Sequence, residues 1–466
     1  MLRLDLTNLH ANRIGPDAGF ALERELAAEE PHLRQAVQDI RARRGTDDAM
    51  VGWIDLPTNQ GALVDEITTF SQAASDRFDD LIVLGIGGSA LGTLAVVQAL
   101  GHAGPSRGGA RQNGLRIHVV DNVDGDALHE LLEDLDPRRT LVNVISKSGT
   151  TAETMAAFLI VEAWLRDALG DATRDHVVAT TDPQHGVLRP YAEANQLRTF
   201  SVPPSVGGRF SVLSPVGLLP VALAGIDVRA LLEGAARIDA DLDAPLEDSV
   251  TLRSAAVDVM TARRGYAMHV LMPYSTKLRR LSDWFVQLWA ESLGKAHDRD
   301  GREVHAGTTP IPASGTTDQH AQVQLFNEGP NDKVVTFVQV DTPAHSVPLP
   351  TPGAGLDALA YLAGHDMHDL LTAERAATAH ALAMNRRPNV TLHLPRLDAH
   401  HLGALLQSFM WRTALVGERW NVDSFNQPGV ELGKVYTYAL MGRDGFDEER
   451  RALLDAGVAA ASSERS

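Results

Sequence analysis

Hydroxyl side chains and a lysine are concentrated in a short stretch directly after an apolar run. The run from Leu141 to Ile145 leads into Ser146-Lys147-Ser148-Gly149-Thr150-Thr151, and a helical pattern from Met155 to Val161 follows. The expected order is therefore strand, polar loop and helix. Hydroxyls beside the free N–H groups of a helix start are suited to the oxygens of a phosphate. We interpret residues 146–151, here called the hydroxyl loop, as an anion-binding loop.

The hydroxyl loop also permits a purely structural interpretation. Thr150 and Glu153 have the spacing of a capping box, which predicts that a helix begins here. Serine and threonine cap many ordinary helices that bind no ligand. One lysine among hydroxyls is not a Walker loop either. Taken alone, the stretch leaves both interpretations open.

A second candidate anion site is a glycine-rich turn earlier in the chain. The apolar run from Leu81 to Leu84 leads into Gly85-Ile86-Gly87-Gly88-Ser89, and a helical run from Ala90 to Leu100 follows. Glycine lets the backbone approach an anion closely, and Ser89 lies near the next helix start. Ligands of parallel sheets bind at the carboxyl ends of the strands. We therefore expect the two loops to hold the same phosphate together.

The glycine-rich turn also matches a rival motif. Gly85, Gly87 and Ala90 satisfy a loose dinucleotide fingerprint, and Asp121 ends the next predicted strand, where an acid for the ribose is expected. The interval from Gly85 to Asp121 is longer than the usual one of about 20 residues. The fingerprint also leaves the hydroxyl loop unexplained. A nicotinamide-dependent dehydrogenase is therefore the less favoured alternative.

Two charged side chains are candidates for the chemistry itself. Arg209 follows two glycines, so its rigid guanidinium could be held close to an oxyanion. Glu291 lies one turn after Gln287 on a predicted helix from Leu281 to Leu293. The apolar stripe of that helix would partly desolvate the carboxylate and favour general-base work. The ordinary alternatives are a solvated arginine and an exposed helical glutamate.

Two further candidates carry weaker signals. His320 ends a polar turn and could transfer protons, although a lone histidine is more often a surface or core residue. Lys434 could simply form an ion pair with Glu431, three residues before it. No H-x-x-x-H or similar spacing supports a metal site.

Composition limits the classes of partner. The chain has 466 residues with 60 Asp and Glu against 42 Lys and Arg, a formal charge of −18. This charge disfavours nucleic acid and anionic membranes as partners, so a phosphorylated ligand needs a local basic site. The chain has no cysteine, which excludes disulfides, thiolate metal sites and a cysteine nucleophile. The first residues lack the apolar core of a signal peptide, and we expect a cytoplasmic protein.

Short apolar runs alternate with helical patterns from Leu81 onward, which is typical of parallel sheets covered by helices. The predicted strands are 81–84, 117–120, 141–145, 177–179 and 199–202, and then 267–272, 334–338 and 390–394. The fold class is therefore α/β with two doubly wound parallel-sheet domains. We place a helical extension at 1–50, the first domain at 51–240, the second at 250–425 and a C-terminal helical segment carrying Lys434 at 426–466. An acidic stretch beginning at Asp239 marks the boundary between the domains.

As an ordered set, these segments resemble the motifs of the phosphoglucose isomerase family. The resemblance covers roughly residues 50 to 440, and six motifs in one order rarely coincide by chance. The motifs are Leu84-Gly85-Ile86-Gly87-Gly88-Ser89, Ser146-Lys147-Ser148-Gly149-Thr150-Thr151, Gly207-Gly208-Arg209-Phe210-Ser211, Glu291-Ser292-Leu293-Gly294-Lys295, Gln319-His320 and Gln427-Pro428-Gly429-Val430-Glu431-Leu432-Gly433-Lys434.

The resemblance implies two sugar-isomerase (SIS) domains that interconvert glucose 6-phosphate and fructose 6-phosphate without metal or nucleotide cofactor. It implies Glu291 as the base of a cis-enediol mechanism, Arg209 as the group that stabilises the enediolate, and His320 with Lys434 as the pair that opens the sugar ring. The residues implied to bind the substrate and its phosphate are Gly88, Ser89, Ser146, Lys147, Ser148, Thr151, Gln287 and Gln427.

The resemblance also implies a homodimer, because in the family the histidine reaches the active site from the partner subunit. Leu293 and Pro428 depart from the asparagine and tryptophan found in larger members. Neither change removes a catalytic group, but both leave open whether mannose 6-phosphate is also accepted. A sugar-phosphate sensor without turnover is disfavoured, because both Glu291 and Arg209 are present.

Overall fold

The computed structural model of the protein describes residues 2–46, 49–101 and 114–458. Its strands, in chain order, are β1 (Arg3–Asp5), β2 (Asp80–Leu84), β3 (Arg116–Val120), β4 (Thr140–Ile145), β5 (Val177–Thr181), β6 (Arg198–Ser201), β7 (Met268–Tyr274), β8 (Lys295–His297), β9 (Glu303–Ala306), β10 (Thr309–Pro312), β11 (Lys333–Thr342) and β12 (Asn389–Arg396). Every strand predicted from the sequence is present in this set.

Helices occupy most of the remaining described residues. They are α1 (Ala11–Ile14), α2 (Leu22–Ala42), α3 (Leu56–Asn59), α4 (Gly61–Arg77), α5 (Leu91–Leu100), α6 (Gly125–Asp134), α7 (Ala152–Leu169), α8 (Leu188–Ala194), α9 (Pro215–Leu223), α10 (Val228–Asp243), α11 (Val250–Arg263), α12 (Arg279–Leu293), α13 (Val323–Glu328), α14 (Met367–Met384), α15 (Ala399–Arg419), α16 (Glu431–Leu440) and α17 (Asp447–Asp455). Across residues 2–46, 49–101 and 114–458, none of the helices combines the length and apolar character that crossing a membrane requires.

The first sheet is parallel throughout and has the strand order β3-β2-β4-β5-β6. Strands β2 and β4 are buried along their whole length, which explains their nearly continuous apolar runs. The chain reverses its direction of winding between these two strands, because β3 lies on one side of β2 and β4 on the other. In doubly wound sheets, a crevice forms outside the carboxyl ends of such a pair. The glycine-rich turn and the hydroxyl loop follow β2 and β4, and therefore meet at this crevice.

The second sheet has the order β1-β12-β11-β7-β10. Strands β12, β11, β7 and β10 are parallel, whereas β1 pairs antiparallel with β12 and places Leu4 opposite Leu392. The helical extension expected at residues 1–50 therefore begins with a short strand. A strand of three residues is too short for its alternation to be recognised from sequence.

The two halves of the chain pack closely through α10 and α15. A Cβ atom at Gly234 would lie 1.7 Å from the carbonyl oxygen of His400, and one at Gly403 would lie 1.8 Å from that of Leu231. Only glycine allows backbones to approach so closely. The acidic stretch expected at the domain boundary begins inside α10, which ends at Asp243. One large cluster of buried side chains contains residues of both halves, from Leu4 to Phe425.

The C-terminal helices lie across the crevice of the first sheet. The Tyr438 hydroxyl, on α16, donates a hydrogen bond to the carbonyl oxygen of Thr150 in the hydroxyl loop (3.3 Å). The rings of Tyr438 and Phe446 pack with centroids 5.6 Å apart, which joins α16 to the start of α17. Most side chains of this segment are exposed, so it covers the crevice without entering the core.

Candidate active site

Two adjoining cavities occupy the crevice of the first sheet. The larger has a volume of about 700 Å³ and includes Glu291 in its lining, and we call it the glutamate cavity. The smaller has a volume of about 520 Å³, and we call it the hydroxyl cavity. They share the lining residues Ile86, Ser148, Thr151, Gly208 and Gln427. One ligand can therefore occupy both.

The hydroxyl cavity brings together the predicted phosphate-binding side chains. Its lining includes Ser89, Ser146, Lys147, Ser148 and Thr151. The Ser146 hydroxyl accepts a hydrogen bond from the Gly149 N–H (2.9 Å) and lies 3.3 Å from the Thr151 hydroxyl. The ammonium of Lys147 donates to main-chain carbonyls of the segment that leads to Arg209. The loop is thus ordered by its own hydrogen bonds, and one of its own residues, Lys147, is a cation.

Helix α7 begins at the hydroxyl loop without a side-chain cap. Its first residue is Ala152, Thr151 is in the N-cap position, and no side chain accepts a hydrogen bond at this N-terminus. The predicted capping box of Thr150 and Glu153 is therefore wrong. The Thr150 hydroxyl instead donates to the Ser148 hydroxyl (3.0 Å). The N–H groups of the first helical turn lack intrahelical partners, so they are suitable donors for an anion in the adjoining cavity.

The glycine-rich turn shapes the crevice through its missing side chains. Gly87 has a φ of 56°, and a Cβ there would lie 2.7 Å from Nε2 of Gln287. A Cβ at Gly88 would lie 2.2 Å from the carbonyl of Gly208. Gly88, which we expected to contact the substrate, is outside the described lining of both cavities. In this structure its contact is with the backbone that carries Arg209.

Glu291 lies in the last turn of α12 and faces the glutamate cavity. Its carboxylate accepts hydrogen bonds from Gln287 Nε2 (3.1 Å) and Arg209 Nη1 (3.2 Å). The side chain is 32% exposed, whereas Trp284 and Leu288 on the adjacent stripe are buried. Helical periodicity therefore places the acid at the rim of the core, which is the first of the two interpretations that the sequence left open. It is fixed by two donors and remains accessible from the cavity.

Arg209 is buried, with only 3% of its side chain exposed. A guanidinium has five N–H donors, and each has an acceptor here. Burial lowers the pKa of Arg209, while the neighbouring Glu291 carboxylate opposes that shift. The arginine is therefore a rigid cation beside the carboxylate and not a solvated loop residue. Its acceptors are Ser292 Oγ (2.8 Å), Glu291 Oε2 (3.2 Å), Gln427 Oε1 (2.9 Å) and the carbonyl oxygens of Ser424 (2.6 Å) and Asn426 (3.0 Å).

The remaining predicted residues divide into two groups. Gln287, Gln427 and Lys434 line the glutamate cavity, and the Lys434 ammonium forms the ion pair with Glu431 that its spacing allowed (2.8 Å). His320 ends an exposed 3₁₀ turn in the second half of the chain. It is not among the described residues that line either cavity. Among the described lining residues, a single copy of the chain therefore brings every candidate to the two cavities except His320 and Gly88.

Thr154 is a candidate that the sequence analysis missed. Its side chain is 3% exposed and lines the hydroxyl cavity, and within the described part of the chain its hydroxyl has no hydrogen-bond partner. A buried hydroxyl without a partner is costly, so a ligand oxygen would satisfy it. The position follows Thr151 by three residues, which places both on one face of α7. That spacing was a signal that could have identified it.

Comparison with known proteins gives one consistent result. The family model described as phosphoglucose isomerase matches residues 62–451. A glucose-6-phosphate isomerase of Thermus thermophilus is 46% identical over 407 residues, covering 87% of this chain and 94% of that protein.

Solved structures agree with the sequence relatives. A hypothetical protein of Thermus thermophilus has a TM-score of 0.87 and 43% identity, covering 95% of this chain and 100% of that one. A glucose-6-phosphate isomerase of Chlamydia trachomatis has a TM-score of 0.78 and 26% identity, covering 94% of this chain and 89% of that one. The sequence match extends over most of the chain, and so does the similarity of fold. The chain therefore belongs to the phosphoglucose isomerase family.

Proposed function

We propose that this protein interconverts glucose 6-phosphate and fructose 6-phosphate in the joined cavities. The phosphate occupies the hydroxyl cavity, and carbons 1 and 2 of the sugar lie beside Glu291. One observation supports this arrangement most strongly. The Glu291 carboxylate lies 3.2 Å from a rigid Arg209 guanidinium, in a cavity that shares its lining with the hydroxyl loop.

The proton transfer needs a base and a cation close together. Removing a proton from the carbon next to a carbonyl group builds negative charge on the carbonyl oxygen. Glu291 takes this proton, which leaves a cis-enediolate. The proton of the adjacent hydroxyl moves to the oxygen that was the carbonyl, and Glu291 returns its proton to the neighbouring carbon, so that the carbonyl group now lies on the other carbon. The Arg209 charge stabilises the enediolate and disfavours loss of the phosphate group. Gln287 and Gln427 contact the sugar from the wall of the same cavity.

Phosphate recognition uses hydroxyl groups, a cation and a helix end. Ser89, Ser146, Ser148 and Thr151 donate to the phosphate oxygens, Lys147 lies beside them, and the buried Thr154 hydroxyl adds a further donor. The uncapped start of α7 contributes N–H groups and a partial positive charge. These groups provide the local positive potential that a protein of −18 formal charge needs to bind a phosphate.

Ring opening is assigned to Lys434 and His320, and we propose that the enzyme is a homodimer. Lys434 lines the glutamate cavity, whereas His320 is exposed on the other half of the chain. A second copy that presents its His320 to the cavity would complete the pair. Because the substrates are intermediates of glycolysis and gluconeogenesis, we expect the enzyme to work in the cytoplasm.

Proton NMR of the purified protein with fructose 6-phosphate in deuterated water tests the reaction directly. No metal, nucleotide or coupling enzyme is added. We expect the anomeric signals of glucose 6-phosphate to appear, with solvent deuterium at carbon 2. An additional mannose 6-phosphate signal would extend the specificity to the second epimer. Binding without any spectral change would instead indicate a sugar-phosphate sensor.

Mixing two inactive variants tests whether His320 acts from the partner subunit. Glu291→Gln and His320→Ala are co-expressed with different tags, and the mixed dimer is isolated. If the histidine acts across the interface, one site of the mixed dimer has both intact groups, and activity returns to about half of the wild-type value. If each chain supplies its own histidine, neither site is restored. A mixed dimer as inactive as its parents would therefore contradict the shared site.

A further inference from the structure

Lys295 is a buried lysine close to the base that has no role in the mechanism above. It is the first residue of β8, two positions after the end of α12, and is 7% exposed. Its ammonium donates hydrogen bonds to the carbonyl oxygens of Glu291 (2.6 Å) and Ser292 (2.9 Å). A buried ammonium is expensive to desolvate, so its position behind the general base calls for an explanation.

The hydrogen bonds of Lys295 close the end of α12. The last four carbonyl groups of a helix lack intrahelical donors. Here the Gly294 N–H donates to the Ala290 carbonyl (2.9 Å), and Lys295 donates to the next two carbonyls in the chain. A cation at a helix C-terminus is also favoured by the helix dipole. Lys295 therefore fixes the turn from which the Glu291 side chain extends.

Arg209 contacts the same two residues through their side chains. Lys295 binds the main chain of Glu291 and Ser292, and Arg209 binds their side chains, at Oε2 and Oγ (3.2 and 2.8 Å). We propose that Lys295 is a positioning residue for the isomerase reaction. Its charged ammonium holds the last turn of α12 and thereby keeps the Glu291 carboxylate within hydrogen-bond distance of the Arg209 guanidinium. This inference rests on the proposed role of Glu291 as the base.

The surroundings of Lys295 make its charge sensitive to pH. Burial lowers the pKa of Lys295 to about 8, the Arg209 charge acts in the same direction, and Asp423 and Glu291 oppose them. On the neighbouring strand β9, its paired residue is the uncharged Ala306. The ammonium is therefore present below about pH 8 and is lost as the pH rises through that value. The pH dependence of kcat/KM reports the free enzyme, so its alkaline limb should lie in this range.

Rate profiles of Lys295→Met and Lys295→Arg between about pH 6 and about pH 10 test the proposal. Lys295→Met should lower kcat about tenfold or more, with KM for fructose 6-phosphate unchanged, because the hydroxyl loop is untouched. The alkaline limb should also be absent from the kcat/KM profile of this variant. Lys295→Arg should recover part of kcat and move the limb upward, because arginine stays charged throughout the range. Lys277→Met is the matched control, since Lys277 is exposed and also donates to a carbonyl, that of Gly101 (3.2 Å).

Several outcomes would overturn the proposal. Wild-type kcat in Lys295→Met would remove the positioning role. So would an unchanged alkaline limb in both variants, or a loss of inorganic phosphate binding and thermal stability in proportion to the loss of rate. If Lys295→Met does not fold, the comparison of wild type with Lys295→Arg still tests the proposal, because it requires only that the alkaline limb of the kcat/KM profile shift to higher pH. Undiminished turnover in Glu291→Gln would instead disprove the base on which the inference depends, whatever the Lys295 variants do.

Discussion

Replacing Glu291 with glutamine should reduce turnover about 10²–10⁴-fold, the usual contribution of a general base. Glutamine keeps the shape of the side chain but has one acceptor oxygen where the carboxylate has two. Arg209 donates to Oε2 (3.2 Å) and Gln287 to Oε1 (3.1 Å), so the amide oxygen can keep the Arg209 hydrogen bond while Gln287 turns its own amide oxygen toward the new NH2 group. Proton acceptance and the negative charge are lost. Because phosphate binding depends on the hydroxyl cavity, the affinity for fructose 6-phosphate should change little.

The measurement is the initial rate of isomerisation by NMR, together with deuterium incorporation at carbon 2 and calorimetric binding of fructose 6-phosphate. Glu130→Gln, an exposed glutamate on α6, is the matched control and should behave as wild type. Turnover within a few-fold of wild type in Glu291→Gln would show that another group removes the proton. Loss of both binding and rate would indicate that the carboxylate mainly maintains the structure of the cavity.

Local periodicity was sufficient to predict the geometry of α12 at the site, although it left open whether Glu291 was an ordinary exposed glutamate. The stripe of Trp284 and Leu288 is buried as the spacing required, and Gln287 meets Glu291 at 3.1 Å because residues four apart share a helix face. The two loops were equally predictable, since the ends of β2 and β4 are neighbours in a parallel sheet. In each case, the relevant contacts lie within one element or follow from a general rule of sheet topology.

Features that depend on distant contacts were not predictable from sequence. Strand β1 is defined by its pairing with β12, near the other end of the chain. The capping box failed for a local reason, because α7 begins one residue later than expected, with Thr151 in the N-cap position, and the Thr150 hydroxyl donates to Ser148. Lys295 is buried at the start of β8, where its charge interacts with Arg209 and Asp423, both distant in the sequence. The sequence motif contains the lysine, but only the three-dimensional arrangement reveals that it closes the helix behind the base.

Arg209→Lys should lower kcat about 10²–10³-fold, comparable to removal of an oxyanion-stabilising donor. A lysine keeps the positive charge, but it has three donors where arginine has five, and all five are used here. At least two acceptors would lose their partners, at a cost of about 1–3 kcal/mol for each buried group left unsatisfied. The guanidinium also joins α12 to the segment from Ser424 to Gln427. Its loss should therefore change both the position of the positive charge and the shape of the cavity.

Three measurements separate these effects: kcat for isomerisation, release of inorganic phosphate during turnover, and the midpoint of thermal unfolding. We expect kcat to fall, the fraction of turnovers that release phosphate to rise because the enediolate is less stabilised, and the unfolding midpoint to decrease. Arg229→Lys is the matched control, because the Arg229 side chain is 55% exposed and pairs on the surface with Asp65, which is 72% exposed. A normal rate with a lowered midpoint would assign Arg209 to stability alone. A lowered rate with an unchanged midpoint would show that Arg209 contributes to the reaction and not to stability. Its rigid cation would then be needed only while negative charge develops on the substrate.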